Sequence, residues 1–427
     1  MELKPNDLVT LTIGSQAKVI KELGRGGQGI VYLVELAGQK MALKWYHNQP
    51  SDAFYKNLEH NVNAKAPSDA FIWPEYLTIK ERGSFGYIMR LRPADYFEFG
   101  KFLLVRKKFK SLDAMFAAAM KICDGFMMLH RYGYSYQDLN DGNFFIRPSD
   151  GDVLICDNDN VMAQGESSGI KGKARYMAPE VMAGKTPDKY SDRFSLSVIL
   201  FLLFFVNHPF EGAKVVACPC MTEAFEKKFY GSEALFIYDK DDKSNLPVRG
   251  VHQNVIHRWP LFPSLLKDAF IEQFSQDKLK NPSSRMIEQD WKRIITKVRD
   301  ELVICPQCHE ETMVDTHAGR CKCINCGATI DTSKTLSIGT RNLILTPGTK
   351  LYIDEDNVPD GEVFLFPKDN KLLIIKNLAA AAWNVTTPGG KVKSVEPNEF
   401  MPVLNGLKIS FGSGIKGAPG AKGEIKA

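Results

Sequence analysis

The order of the secondary-structure patterns constrains this chain more than any other feature. Short strand-like runs such as LVTLTI, GIVYLVEL and QKMALKWY come first, before any long helical pattern. After Asp113 the chain is mostly helical, and AMFAAAMKICDGFMMLH repeats apolar residues at the spacing of one helix face. A β-rich segment followed by an α-rich segment predicts an α+β fold with two lobes over residues 8–300. We expect the lobes to span about residues 8–95 and 96–300.

Two clusters of Asp, Asn and Gly lie beside apolar strand-like runs in the second of these lobes. YSYQDLNDGNFFI contains Asp138 and Asn143, and VLICDNDN contains Asp157. Asp, Asn and Gly dominate turns, so two ordinary turns are one interpretation. Carboxylate and amide oxygens are also the ligands that Mg²⁺ prefers, so the same residue types suit a metal site.

A glycine-rich turn in the first lobe suits phosphate, because glycine has no Cβ and lets a ligand approach backbone N–H groups. A plain hairpin turn would look similar, and the Lys44 that ends the following strand could be a solvated lysine. The next segment, SDAFYKNLEHNV, predicts a helix that carries Glu59. The candidate nucleotide-binding residues on the turn and its strands are Gly24, Gly26, Gly27, Gly29, Val31 and Ala42.

Together these segments resemble the motifs of protein kinases, namely the H-R-D-L-x-x-x-N catalytic loop, the D-F-G metal site and the V-A-I-K strand. The resemblance implies that Asp138 accepts the proton of the substrate hydroxyl. It also implies that Asn143 and Asp157 bind Mg²⁺, and that Lys44 holds the phosphates of ATP with Glu59 as its partner. Phosphoryl transfer depends mainly on such alignment and charge neutralisation.

The resemblance continues downstream and covers about two thirds of the chain. ARYMAPE is similar to the A-P-E motif of protein kinases, and Arg285 falls on the arginine that pairs with its glutamate, here Glu180. Small-molecule kinases of the same superfold usually lack this pair, so the resemblance implies a protein substrate. The chain is most similar to divergent, eukaryotic-like Ser/Thr kinases of bacteria. A pseudokinase or nucleotide-binding scaffold, and a small-molecule phosphotransferase, are the alternatives.

Four positions depart from the family pattern. Tyr136 and Gln137 replace the His and Arg before the catalytic aspartate, so regulation by phosphate on the activation loop is not expected. Asn140 replaces a lysine that stabilises the transferring phosphate in Ser/Thr kinases. Asp159 replaces the glycine of D-F-G and adds a second carboxylate near the metal site. Whether these changes reduce activity is left open by the sequence.

Residues 302–330 predict a small zinc ribbon. Five of the nine cysteines lie between Cys305 and Cys326, in a chain without an export signal, which favours metal over disulfides. Two CxxC pairs can grip a tetrahedral Zn²⁺ from opposite sides, and about thirty residues need such a metal to fold. Cys321 and His309 are alternative ligands. The four expected ligands are Cys305, Cys308, Cys323 and Cys326.

Residues 336–427 predict an all-β sandwich, because short alternating segments are separated by Gly, Pro, Asp and Asn. The strand order resembles that of forkhead-associated domains, which implies a protein-docking module. A small β domain without a ligand is the alternative. Phosphothreonine recognition in that family uses Arg and Ser loop residues, and Arg341 is the only arginine in this region.

Composition adds few constraints. The net charge of +5 gives no reason to expect a nucleic-acid partner. The strongest apolar stretch, Leu196 to Val206, is too short to span a bilayer, so no membrane partner is expected. The N-terminal residues lack the apolar run of a signal peptide, and we expect a cytoplasmic protein.

Overall fold

The first lobe is a twisted antiparallel sheet with one helix. The structure is a computed structural model, and it describes residues 2–48, 50–167, 169, 172–412 and 420–427. The six strands follow the order β1-β2-β3-β4-β6-β5. The lobe consists of β1 (Leu8–Thr10), β2 (Gln16–Arg25), β3 (Gly29–Leu36), β4 (Gln39–Tyr46), α1 (Asp52–Ala64), β5 (Pro74–Leu77) and β6 (Gly86–Arg90).

The second lobe is mainly helical and carries short strands that face the first lobe. It consists of β7 (Phe97–Glu98), α2 (Phe99–Leu103), α3 (Leu112–Arg131), β8 (Tyr134–Ser135), β9 (Phe144–Ile146), β10 (Val153–Ile155), β11 (Met162–Ala163), α4 (Pro179–Met182), α5 (Lys189–Phe205), α6 (Ala213–Val216), α7 (Glu223–Lys227), α8 (Gln253–Arg258), α9 (Ser264–Gln273), α10 (Gln276–Lys280) and α11 (Glu288–Arg299). A β-sheet lobe followed by a helical lobe confirms the expected α+β fold with two lobes.

Helix α5 runs through the core of the second lobe. A capping box starts it: the Asp188 side chain accepts from the backbone of Tyr190 and Ser191, and the Ser191 hydroxyl accepts from the Asp188 N–H. From Val198 to Phe205 the helix is apolar on all sides and wholly buried, as expected for a core helix. Among the described residues, no helix is both long enough and apolar enough to cross a membrane.

The C-terminal third is rich in β-structure. A two-stranded hairpin, β12 with β13, is followed by two sheets of order β15-β14-β23-β22-β19-β20 and β16-β17-β18-β21, which share one apolar core around Trp383. The strands are β12 (Leu302–Ile304), β13 (Glu311–Met313), β14 (Thr335–Ile338), β15 (Arg341–Ile344), β16 (Lys350–Leu351), β17 (Gly361–Phe366), β18 (Asp369–Asn377), β19 (Trp383–Thr386), β20 (Val392–Val395), β21 (Phe400–Pro402), β22 (Lys408–Ser410) and β23 (Lys422–Lys426).

These C-terminal elements contact the helical lobe through charged and polar side chains at the start of α3. Asp113 accepts from Arg299 at the end of α11, from the Tyr352 hydroxyl at 2.9 Å and from Lys350 at 3.1 Å. Glu311 on β13 accepts from the backbone N–H of Leu112 and so caps α3. Side chains from the helical lobe, the β12–β13 hairpin and the C-terminal sheets therefore meet where α3 begins and α11 ends.

Candidate active site

The polar clusters predicted from the sequence lie at the ends of the β9–β10 hairpin. Phe144 pairs with Ile155 in this hairpin, so Asn143 before β9 and Asp157 after β10 share one end. The Cys156 N–H donates to the Asn143 carbonyl at 2.8 Å and ties the two clusters together. The loop between β8 and β9 carries Asp138 to the same place. The two acidic segments thus form one polar site below the β-sheet lobe.

Lys44 reaches this site from β4. Its Nζ lies 2.7 Å from Asp159 Oδ2, 3.3 Å from Asp157 Oδ1 and 3.2 Å from the Gln28 side chain. The Lys44 side chain is 6% exposed and that of Asp159 is 0% exposed. Burial alone would lower the pKa of Lys44, but the Asp159 and Asp157 carboxylates raise it above the ordinary value. The ammonium is therefore held charged between two carboxylates.

Glu59 does not pair with Lys44, and this expectation is corrected. Glu59 lies on α1 with its side chain exposed, and no ion pair joins it to Lys44 within the described residues. Asp159 occupies the place of the expected partner, and the Tyr46 hydroxyl also donates to it at 2.6 Å. A buried ammonium needs a close anion, and Asp159 meets that need from the opposite lobe.

Asp157 and Asn143 present oxygen atoms suited to Mg²⁺. Asp157 is in the left-handed region, with φ 55°, and its side chain remains 47% exposed. The Asn143 side-chain nitrogen donates to the Asp138 carbonyl at 2.8 Å and to the Tyr136 hydroxyl at 3.2 Å, so its amide oxygen has no protein partner among the described residues. Oδ1 of Asp159 is buried and also lacks a donor there. Unsatisfied carboxylate and amide oxygens fit a hard divalent cation.

Asp138 has the environment of a base. Burial raises the pKa of its carboxyl to about 6; a hydrogen bond from Asn140 opposes the rise, and the Asp157 charge adds to it. The Asn140 nitrogen donates to Asp138 Oδ1 at 3.2 Å. A carboxylate with a pKa near neutrality is well placed to accept a proton from a hydroxyl.

Two of the departures from the family pattern have structural roles. The Tyr136 hydroxyl donates to the Cys156 carbonyl and so fixes the backbone directly before Asp157. The Gln137 side-chain nitrogen donates to the Glu166 carbonyl at 2.6 Å and to the Ser135 hydroxyl at 3.1 Å. Gln137 thus holds Glu166, in the first half of the activation loop (residues 160–177), through a neutral amide.

The glycines of the β2–β3 hairpin divide into two groups. A Cβ on Gly24 or Gly27 would meet no atom within 4 Å, so the backbone there is open to a ligand. The Gly26 N–H donates to the Gly29 carbonyl at 2.9 Å and closes the turn. A Cβ on Gly29 would lie 2.3 Å from the Trp45 carbonyl oxygen. Gly29 is therefore required where β3 approaches β4, independently of any phosphate.

Apolar side chains from both lobes pack near Lys44. Ala42 belongs to a buried cluster, and Val31 and Phe145 are partly buried against it from the two lobes. The guanidinium of Arg92 lies 4.3 Å from the centre of the Phe145 ring. Apolar side chains from both lobes are the residue types that suit the two faces of a flat heterocycle such as adenine. Sequence reasoning did not single out Phe145, although it is the second residue after Asn143, which ends the catalytic-loop motif.

The helical lobe braces the site through buried ion pairs. Arg285 donates to both carboxylate oxygens of Glu180 at 2.7 Å. Asp192 accepts from the Tyr136 N–H at 2.7 Å and from His130 at 3.0 Å, while the other ring nitrogen of His130 lies 2.9 Å from Glu288. Burial alone would lower the pKa of His130, but its two carboxylate partners raise it to about 9.

Four cysteines after the helical lobe converge on one point. The Sγ atoms of Cys305 and Cys326 lie 3.6 Å apart, those of Cys308 and Cys323 lie 3.7 Å apart, and all four lie within 4.8 Å of one another. Four sulfurs around a tetrahedral Zn²⁺ would be separated by about 3.8 Å, given a Zn–S distance of about 2.3 Å. The cluster therefore has the donor set and the spacing of a closed metal site.

The alternative ligands fall outside this cluster. His309 is the residue after the first CxxC pair, has φ 60°, and its N–H donates to the Cys305 carbonyl. Gly327 is in the corresponding place after the second pair, with φ 74°. Cys321 instead contacts the Thr332 hydroxyl at 3.6 Å. His309 thus serves the turn geometry, and neither alternative belongs to the four-cysteine group.

Arg341 is committed to a contact between domains. Its Nε and Nη2 lie 2.8 Å from the two carboxylate oxygens of Asp300, and Nη1 donates to the Ile353 carbonyl at 2.9 Å. Its side chain is only 10% exposed. Arg341 therefore cannot serve as a phosphothreonine ligand in this structure, and the forkhead-associated resemblance of the β domain stays a prediction.

Comparison with known proteins finds protein kinases for the first part of the chain. Residues 17–242 match the protein kinase domain family. Similar proteins include protein kinase C delta type of Rattus norvegicus, 27% identical over 202 residues, which are 45% of this chain and 29% of that protein. Serine/threonine-protein kinase Pkn1 of Myxococcus xanthus is 27% identical over 227 residues, 49% of this chain and 32% of that protein. Probable serine/threonine-protein kinase PknB of Bifidobacterium longum is 32% identical over 95 residues, 21% of this chain and 14% of that protein. The chain spans less than a third of the length of these relatives.

Proposed function

Because this chain belongs to the protein kinase domain family, we propose that it is an ATP- and Mg²⁺-dependent protein kinase that phosphorylates Ser or Thr hydroxyls of a protein substrate. The observation that carries the proposal is the convergence of Lys44, Asp157 and Asp138 from three separate segments onto one polar site. Its bacterial relatives Pkn1 and PknB are described as serine/threonine-protein kinases, which supports the Ser/Thr assignment.

Each polar residue has a distinct part in this proposal. Lys44, fixed by Asp159, binds the phosphates of ATP, and Asn143 and Asp157 bind Mg²⁺. Mg²⁺ held by Asn143 and Asp157 would supply positive charge that neutralises the phosphates. Asp138 orients the substrate hydroxyl and accepts its proton. The hydroxyl oxygen forms a bond to the γ-phosphorus, the bond from that phosphorus to the β–γ bridging oxygen breaks, and ADP leaves.

A protein acceptor is supported by the Glu180–Arg285 pair. The pair is bidentate and buried, and it follows a loop that begins under Gln137 and returns past Asp138. Small-molecule kinases of this superfold usually lack it. The two hydrogen bonds between Arg285 and Glu180 hold the end of the activation loop, the segment that would support a peptide substrate.

The accessory regions are proposed to hold Zn²⁺ and to contact a protein partner. Four thiolates in a closed site select a soft or borderline metal and give it a structural role. The β domain contacts the helical lobe at Asp113, through Tyr352, and at Asp300, through Arg341. It would therefore present its outer sheet faces at a fixed angle to the kinase lobes. A cytoplasmic location remains a prediction.

Transfer of labelled γ-phosphate from Mg·ATP tests the proposed function. The purified chain would be assayed for labelling of itself, of a generic basic protein and of a metabolite panel, beside Asp157→Asn. Label on protein that disappears in the variant supports the proposal. Label only on a metabolite would identify a small-molecule phosphotransferase. Tight Mg·ATP binding without label on any acceptor would identify a nucleotide-binding scaffold and refute the proposal.

A further inference from the structure

The catalytic loop lacks a lysine at position 140, and a different lysine lies beside it. Asn140 holds the position where Ser/Thr kinases place the cation that stabilises the transferring phosphate. The Nζ of Lys173, from the activation loop, lies 2.8 Å from Asn140 Oδ1. The Asn140 side-chain nitrogen in turn donates to Asp138 Oδ1 at 3.2 Å. A single amide therefore links the Lys173 ammonium to the proposed base.

The neighbouring glycines make this arrangement possible. A Cβ on Gly172 would lie 3.3 Å from Asp138 Oδ1, so the residue before Lys173 packs its backbone directly against the base. A Cβ on Gly142 would lie 3.1 Å from Asn140 Oδ1 and 3.5 Å from Lys173 Nζ. Larger residues at either position would crowd the contact. Two close approaches of the backbone thus bring the ammonium to the catalytic loop.

The Lys173 ammonium forms no close ion pair with a carboxylate of the described residues. Its side chain is 60% exposed, and the nearest carboxylate is that of Asp141 at 3.9 Å. A weak surface contact of this kind contributes little and leaves the charge available. By contrast, Lys44 is buried between two carboxylates and serves the other phosphates. Among the residues that the structure describes, the site therefore contains a buried cation, Lys44, and an exposed cation, Lys173, on either side of the acidic cluster.

We propose that Lys173 is a catalytic residue whose ammonium contacts the phosphoryl group during transfer and supplies the charge absent at position 140. The inference rests on the proposed kinase function. Lys173 lies opposite Asn140 across a loop contact, so the cation reaches the reaction from the activation loop and not from the catalytic loop. A cation aimed at charge that develops in the transition state accelerates transfer more than it strengthens substrate binding.

Exchange of the two side chains provides the sharpest test. We expect Lys173→Asn to lower kcat by about tenfold to a hundredfold, with the KM for ATP changed less than about twofold. The double variant Asn140→Lys with Lys173→Asn should recover much of the loss, because it returns the cation to the other side of the same contact. Lys185→Asn is the matched control, since Lys185 is exposed and makes no ion pair among the described residues.

A binding measurement keeps the test independent of the acceptor. Calorimetry would compare the affinity for Mg·ADP alone with that for Mg·ADP plus aluminium fluoride, which imitates the transferring phosphoryl group. Lys173→Asn should lose about tenfold in the second affinity and little in the first. Unchanged affinities and unchanged kcat, equal to those of Lys185→Asn, would overturn the role of Lys173. A wild-type chain that transfers no phosphate would refute the kinase function, while the fluoride comparison would still decide whether Lys173 contacts the phosphoryl site.

Discussion

The Lys44–Asp159 ion pair gives the most discriminating prediction. The resemblance to protein kinases implies Glu59 as the partner of Lys44, whereas the structure places Asp159 there, and substitutions at the two positions distinguish these assignments. Asp159→Asn removes the closest partner of a buried ammonium and leaves Asp157, at 3.3 Å and half exposed, as the remaining anion. Removal of one partner from a buried ion pair typically costs about 3–5 kcal/mol. Since Asp157 still compensates in part, we expect a loss of about 3 kcal/mol in the free energy of unfolding.

Calorimetry and differential scanning fluorimetry measure the two consequences. A loss of this size lowers Tm by about 5–10 °C for a domain of a few hundred residues. The affinity for Mg·ATP should fall by about tenfold or more, because Lys44 is no longer held towards the phosphates. The matched control is Glu59→Gln, which should change Tm by less than about 2 °C because the side chain is exposed. A larger effect from Glu59→Gln than from Asp159→Asn would refute the assignment.

Three further predictions concern titration and metal. Since Asp138 must be ionised to accept a proton and burial raises its pKa to about 6, kcat/KM should fall as the pH drops through about 6; a flat profile from pH 5 to 8 would contradict this role. His130 has a folded pKa of about 9 against an ordinary value of 6.5, so its contribution to stability is complete below about pH 6.5 and lost as the pH rises through about 9. As the pH rises above 7, the Tm of the wild type should therefore fall more steeply than the Tm of His130→Gln. Mass spectrometry of the purified chain should find one zinc ion, which Cys308→Ser loses and Cys321→Ser retains.

Local sequence patterns were sufficient to predict which strands and loops carry the polar residues of the candidate active site. Lys44 lies on β4, which pairs with β3, and Asn143 is tied to the end of β10 through the Cys156 N–H. Asp138 lies on the loop that leads to Asn143. Residue type and chain position therefore specify which residues can meet. The same holds for the cysteines, because two CxxC pairs have the ligand spacing of a tetrahedral metal site and the four sulfurs do lie together.

The partners of these residues could not be inferred in the same way. Glu59 occupies a plausible helix position, but a helix that leaves its glutamate in water has the same sequence pattern as one that turns it inward. Asp159 lies in a run of turn-forming residues, and only the fold shows that its carboxylate is buried against Lys44. Lys173 is far from Asn140 in sequence, so their contact depends on the path of the activation loop.

The most direct test of the central claim separates nucleotide binding from transfer at Asp138. Asp138→Asn preserves the shape of the side chain and removes its charge, while Lys44 and Asp157 keep their contacts. We predict that the variant binds Mg·ATP with wild-type affinity by calorimetry and transfers γ-phosphate at less than about a hundredth of the wild-type rate. Transfer at the wild-type rate by Asp138→Asn would show that Asp138 is not the base and would contradict the account of this site.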